Sequence, residues 1–387
     1  MLVIGKPQVT SVDGQCLYSV DVNWLDKTDS LWFSVDECYA ELLSNTCEAP
    51  LIGLLIPAMK GGHDIRVEGR VNSSLVVRLN KTVQTLLIDL IPGLKKIKIS
   101  CDDEYSDGAY IRESRGGAAA GFSGGVDSYC LLSDFFMADR TSDNKINYLL
   151  FNNVGSHGKA DSELFERRYN RLAPAVKAMG IPFVKVDSNL SFFYSKGIGF
   201  QQTNTIRNAS VAFLIKNKIE NFYYASSYMY SDLVIGRTGD MSRADPVFLS
   251  LLCSNDFRLS SEGSEYSRVE KVLKIASLDQ THDYLDVCIK ARSNSSYTNC
   301  GKCWKCMRTL AILEISGDMT KYDKVFDLNE YKKLKFAYHA HVIRSKDPLV
   351  KEVKQYAKEM GYRFSLSSKV MALPFLYSLV KKFYLNF

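Results

Sequence analysis

The stretch A118-A-A-G-F-S-G-G-V-D-S-Y-C-L-L132 moves from small apolar residues through a Ser-Gly-Gly turn into a run with helical spacing. Ala118 to Phe122 reads as a short buried strand. Val126, Cys130 and Leu131 recur at helical spacing within a helix expected over residues 126–136, with Asp127 in its first turn. Gly124 and Gly125 free the backbone for positive φ and admit a neighbouring group to contact distance. A glycine turn that opens a helix presents unpaired N–H groups and the positive end of the helix dipole, so its natural ligand is a phosphate or pyrophosphate. Ser123 and Ser128 add hydroxyl groups to this cradle. No lysine follows the glycines, so a Walker-type grip on a γ-phosphate is absent.

Downstream the pattern alternates. Strands are expected over 148–151, 183–186 and 221–225, and helices over 161–179, ending at Gly180, and over 206–216. Such alternation implies an α/β fold, a Rossmann-like parallel sheet with helices on both faces and the ligand at the carboxyl ends of the strands. Ahead of it, alternation of Tyr18, Val20, Val22 and Trp24 with polar residues predicts a β-rich N-terminal domain over residues 1–115, interrupted by a short helix at 35–43. The nucleotide domain then covers 116–317. A helical C-terminal extension fills 318–387, and its apolar run from Val370 to Val380, broken by Pro374, is expected to dock onto the body.

The chain has 387 residues, 46% of them hydrophobic and 24% charged, as in globular proteins. A net charge of +6 permits an anionic ligand without demanding nucleic acid. The first residues lack a signal-peptide pattern and no apolar run reaches 18 residues, which predicts a cytoplasmic protein without a membrane span. The ten cysteines then point to metal or catalysis, because disulfides are rare in that compartment. Cys300, Cys303 and Cys306 stand at C-x2-C-x2-C spacing and Cys288 lies twelve residues before Cys300. Four thiolates suit a closed, structural Zn²⁺ site; an iron–sulfur cluster also accepts four cysteines. Gly301 gives the knuckle its freedom.

Ser123-Gly124-Gly125-Val126-Asp127-Ser128 matches the SGGxDS signature of the PP-loop ATP pyrophosphatases, and the chain resembles them. With the Cys300-Gly-Lys-Cys-Trp-Lys-Cys306 knuckle followed by Arg308, it is similar to the 7-cyano-7-deazaguanine synthase (QueC-like) family over about residues 117–315. Arg207-Asn208 resembles that family's Arg-Asn pair, and Ser267-Arg268-Val269-Glu270 its Thr-Lys-x-Glu segment. Where the family has an Asp-Tyr-Gly-Gln-like stretch, this chain reads Phe151-Asn-Asn-Val-Gly-Ser-His157.

The resemblance implies ATP cleavage to AMP and pyrophosphate, adenylation of 7-carboxy-7-deazaguanine, and transfer of the acyl group to an amine. The added segments resemble those of QueC-like proteins in antiphage defence gene clusters, which makes a protein partner the expected amine donor in an antiviral role. Ammonia as acceptor, giving the nitrile, and tRNA modification are the alternatives. By the same resemblance Asp127, Ser128 and Arg207 are the catalytic candidates. Ser123 to Ser128 and Asn208 hold ATP, Asp127 serves Mg²⁺ or the turn geometry, and Cys288, Cys300, Cys303 and Cys306 hold Zn²⁺. Asp127 lies in an exposed turn on this reading, so its removal should leave the fold intact.

Overall fold

In the computed structural model, residues 1–24, 27–108, 116–135, 145–156, 162–194, 197–289 and 297–383 are described. Five strands carry the parallel part of the sheet: β7 (Ala118–Gly121), β8 (Tyr148–Asn152), β9 (Phe183–Ser188), β10 (Asn221–Ala225) and β11 (Arg258–Glu262). Their spatial order is β9-β8-β7-β10-β11, and every adjacent pair is parallel. Counted along the chain this is 3-2-1-4-5, a doubly wound order whose direction reverses between β7 and β10, where such sheets bind their ligands. Four of the five strands, β7 to β10, are the short apolar runs read from the sequence, and the middles of β7 and β8 are buried on both faces as in parallel sheets; β11, with only Leu259 buried, was not read.

The other strands are β1 (Leu2–Ile4), β2 (Gln8–Val12), β3 (Gln15–Trp24), β4 (Lys27–Asp36), β5 (Ile65–Asn72) and β6 (Ile99–Tyr105). They do not close into a sheet of their own. Phe33 and Ser34 of β4 pair antiparallel with Ser188 and Asp187 of β9, which extends the sheet to eleven strands through β4-β3-β1-β5-β6, with β2 on β3. Nor is the N-terminal part simply β-rich. It holds α1 (Glu48–Gly61), α2 (Ser73–Arg78) and α3 (Gln84–Leu90), the last two joined by a π-helical turn at Leu79–Val83. Helix α1 is buried from Glu48 to Met59, so it carries no polar face and no 3.6-residue rhythm to read. The expected helix at 35–43 is a 3₁₀ helix, Glu37–Leu42, after β4.

The remaining helices are α4 (Val126–Phe135), α5 (Ser162–Met179), α6 (Asn204–Leu214), α7 (Asp245–Leu252), α8 (Arg268–Ala276), α9 (Asp279–Tyr284), α10 (Trp304–Ser316), α11 (Leu328–Arg344), α12 (Pro348–Glu359), α13 (Leu366–Met371) and α14 (Pro374–Phe383). The chain divides into two compact units, and neither ends at residue 115 or 317. One comprises Met1–Phe122, Asp139–Ser226 and Leu233–Glu262 and contains the whole sheet; the other comprises Ser123–Ala138, Ser227–Asp232 and Gly263–Phe387. In the second unit α8 packs on α4, α10 and α12, and α10 on α11, so the C-terminal helices share a core with the helix after the glycine turn.

Helix α14 is fastened on one side only. Tyr377 Oη meets His341 Nδ1 of α11 at 2.7 Å and Val380 is buried, while Leu373, Phe375 and Leu379 face outward, Phe375 being 75% exposed. Among the described residues no helix is long and apolar enough to cross a membrane.

Candidate functional site

The turn ahead of α4 has the form its sequence calls for. Gly124 takes φ +70°, whereas Gly125 does not need a positive φ. Asp286 N–H donates to the Gly124 carbonyl at 2.7 Å and fixes the turn from outside. The main-chain N–H groups of residues 124–128 find no backbone acceptor among the described residues, which leaves a row of donors at the positive end of a ten-residue helix. Ser123 is exposed at the rim. Ser128 is buried and its hydroxyl donates to Gly125 O at 3.0 Å, so in this state its proton serves the helix start.

Asp127 is the anionic centre of a cationic cluster. Its Oδ1 lies 2.8 Å from Arg268 Nη1 and 3.4 Å from Lys271 Nζ, and its Oδ2 accepts from Arg268 Nη2 at 3.1 Å. Arg268 Nη2 also donates to Ser227 O at 2.9 Å. Burial alone would raise the Asp127 carboxyl; Arg268 and Lys271 outweigh it and hold the group below the ordinary aspartate value. Burial lowers Lys271, against the pull of Asp127. Arg308 of α10 is 6% exposed, rests on the Trp304 ring at 5.0 Å, and is lowered by burial and then by the field of Arg268. The buried Nε atoms of Arg268 and Arg308 have no acceptor among the described residues.

Both oxygens of Asp127 are engaged by basic groups, which favours a further anion beside them over Mg²⁺ at this carboxylate. Lys271 was not legible in the sequence, although it lies three residues after Arg268 and therefore on the same face of α8. Glu352 of α12 was also missed: its carboxylate accepts from Arg268 N–H, and burial raises its pKa.

Cys288, Cys300, Cys303 and Cys306 are all buried, and their sulfur atoms lie within 4.8 Å of one another. Individual Sγ–Sγ distances are 4.0 Å (288–303), 4.0 Å (300–306) and 3.4 Å (303–306). A tetrahedral ion at about 2.3 Å from each sulfur would set them about 3.8 Å apart, so the four sulfurs fit one ion. Hydrogen bonds from its neighbours, Cys288 first, lower the Cys303 thiol to about 6. Gly301 takes φ +65°, and a Cβ there would run into the Asp327 carbonyl. Buried Asn299 brings the distant ligand in: its Oδ1 accepts from Val287 and Cys288 N–H at 2.8 and 3.1 Å.

Arg207 and Asn208 lie on α6 in the other unit. Arg207 is buried, stacks 3.5 Å over the Tyr194 ring, and donates to Thr203 Oγ1 at 2.8 Å and Val154 O at 3.1 Å. Burial lowers its pKa. Asn208 Oδ1 accepts from Asn152 Nδ2 at 3.0 Å, and its own amide donates to Asn204 O at 2.9 Å.

No family model and no curated protein matches the chain. Among solved structures it is similar to the U34-tRNA thiolase NcsA from Methanococcus maripaludis with its [4Fe-4S] cluster. The identity is 15%, over 66% of this chain and 76% of that one, with a TM-score of 0.30. A likeness this slight leaves the fold to rest on the strand order and the site on its own geometry.

Proposed function

We propose that the chain is a PP-loop, QueC-like enzyme that cleaves ATP between the α and β phosphates, adenylates a 7-carboxy-7-deazaguanine-type acid and passes the acyl group to an amine. One observation carries the reading: among the described residues, a row of N–H groups without a backbone acceptor heads α4 beside a basic cluster in which Asp127 meets both Arg268 and Lys271, and two buried guanidinium Nε atoms lack acceptors. Buried cations of this kind are stable only with an anion, and a polyphosphate supplies one.

In the reaction the substrate carboxylate attacks the α-phosphorus, the new C(O)O–P bond forms and the P–O bond to pyrophosphate breaks. The N–H groups of 124–128, with Arg268, Lys271 and Arg308, meet the charge gathering on the departing pyrophosphate, and because they are fixed beforehand they need little reorganisation. Ser123 stands at the rim for an outer phosphate oxygen, and Asp127 keeps the guanidinium and ammonium groups in place. Magnesium travels with ATP as its phosphate complex. The amine then forms the C–N bond, AMP leaves with the bonding pair and the nitrogen gives up its proton. Arg207 acts through the 154–155 loop, which its guanidinium holds.

The cysteine cluster holds Zn²⁺ in this reading, a closed structural site, and so anchors the start of α10, which bears Arg308. Thiolation chemistry finds no support at Cys130, whose thiol burial pushes up to about 12. The acceptor is an amine of a partner protein, for which Leu373, Phe375 and Leu379 offer an exposed apolar face. Incubation with ATP, the acid and either ammonia or candidate proteins, followed by mass spectrometry, tests this. A protein adduct supports the proposal; free nitrile from ammonia alone with no adduct overturns the protein acceptor.

A further inference from the structure

Strands β2 and β3 are joined by a two-residue turn, Asp13-Gly14, with φ of +50° and +75°. Positive φ at both positions marks a type I′ turn, whose flanking residues, here Val12 and Gln15, bond to each other through both main-chain groups. Further along the same edge of β3, Gly5 N–H donates to Asp21 O at 2.8 Å. Bonding direction alternates along a strand, and the two observations give one phase. Gln8, Thr10 and Val12 turn their N–H and C=O groups to β3, and Val9 and Ser11 turn theirs away. Among the described residues those outward main-chain groups have no partner.

The composition of this edge sets it apart. The main path of the sheet ends at β6 and β11, and both strands carry charges that discourage pairing with a further strand: Asp102, Asp103 and Glu104 in β6, Arg258 and Glu262 in β11. β2 reads Gln-Val-Thr-Ser-Val, exposed throughout, with no charge, proline or glycine. An uncharged strand can face its own copy without repulsion. Antiparallel pairing about a two-fold axis at Thr10 sets Val9 against Ser11 of the second copy, twice, and every outward main-chain group then has a partner. Thr10 meets Thr10 across the axis in the close, non-bonded position, where threonines pair favourably.

We propose that β2 is a self-pairing edge by which two copies of this chain join their sheets, antiparallel and two-fold about Thr10. A pair of five-residue strands is far smaller than the roughly 800 Å² per partner of a standard stable interface, so the dimer forms with rising concentration and comes apart on dilution. The contact uses no residue of the phosphate cluster and is independent of the chemistry proposed above.

Sedimentation equilibrium of the full chain, from about 2 to about 200 µM, tests this. The weight-average mass should climb from 43.6 kDa toward twice that value. Ser11→Pro removes an outward N–H and no bond to β3, so it should hold the mass at that of the monomer and leave the thermal midpoint close to the parent's. Thr10→Lys and Thr10→Glu should each be monomeric alone, because like charges then oppose each other, and an equal mixture of the two should recover the dimer. Recovery in the mixture separates repulsion at the axis from a damaged fold. A parent that stays monomeric throughout overturns the inference and leaves the edge to a strand of another protein. A dimer that survives in Ser11→Pro and in Thr10→Lys lies elsewhere on the surface and overturns it as well.

Discussion

An exposed turn residue could be truncated without harm, but Asp127 is only a quarter exposed and is the carboxylate that meets both Arg268 and Lys271. Taking it away leaves two buried cations facing each other, a change that costs about 3–5 kcal/mol in comparable buried pairs. Asp127→Ala is therefore expected to lower the unfolding free energy by about 3 kcal/mol as well as to abolish turnover, and denaturant unfolding checks the first part. An unchanged midpoint would return Asp127 to the purely chemical role read from its turn. A second residue sets a pH dependence. Burial holds His339 neutral and lowers its pKa from 6.5 to about 4, with Glu314 pulling the other way. Below pH 6.5 the unfolded chain takes up a proton that the native one refuses, so stability falls as pH drops from 6.5 toward 4, by at most about 3 kcal/mol. Comparing pH series of unfolding for the parent and His339→Gln isolates it: the variant's curve should be flatter across that window. Arg268 was visible through a resemblance and Lys271 not at all, because a lysine on a helix reads as solvated until the partner across the core is known.

Among the elements, the cysteine knuckle was the most legible, since C-x2-C-x2-C is a local pattern whose geometry needs one turn and one glycine. Its fourth ligand depended on distance along the chain, and the device that delivers it, Asn299 bonding the Cys288 segment, leaves no pattern in sequence. Cys303→Ser should cost the bound ion and lower the thermal midpoint, because metal-binding free energy is folding free energy at such sites. Elemental analysis of the parent should give a single zinc per chain; iron with visible absorbance would overturn the assignment. The opposite case is α1, a helix with no polar face, which periodicity cannot distinguish from a strand or a loop. Strands β7 to β10 fell between these cases: short apolar runs separated by amphipathic helices such as α5 leave few alternatives.

Across the whole molecule, what the sequence concealed is partnership at long range. A linear reading divides the chain at its composition shifts, near residues 115 and 317, whereas the compact units are assembled from three segments each. The reason is visible at β4: its pairing with β9 joins residues more than 150 positions apart and makes the first hundred residues part of the doubly wound sheet. Likewise α12, far beyond the glycine turn in sequence, places Glu352 on the main chain of Arg268, so the C-terminal helices belong to the unit that holds the basic cluster. The central claim is that this unit grips the pyrophosphate end of ATP. Its most direct test is to follow ATP turnover by the full chain in the presence of 7-carboxy-7-deazaguanine and to separate the nucleotide products. The account predicts AMP and pyrophosphate in equal amounts, with the products lost in Asp127→Asn; ADP and phosphate as the main products would contradict it.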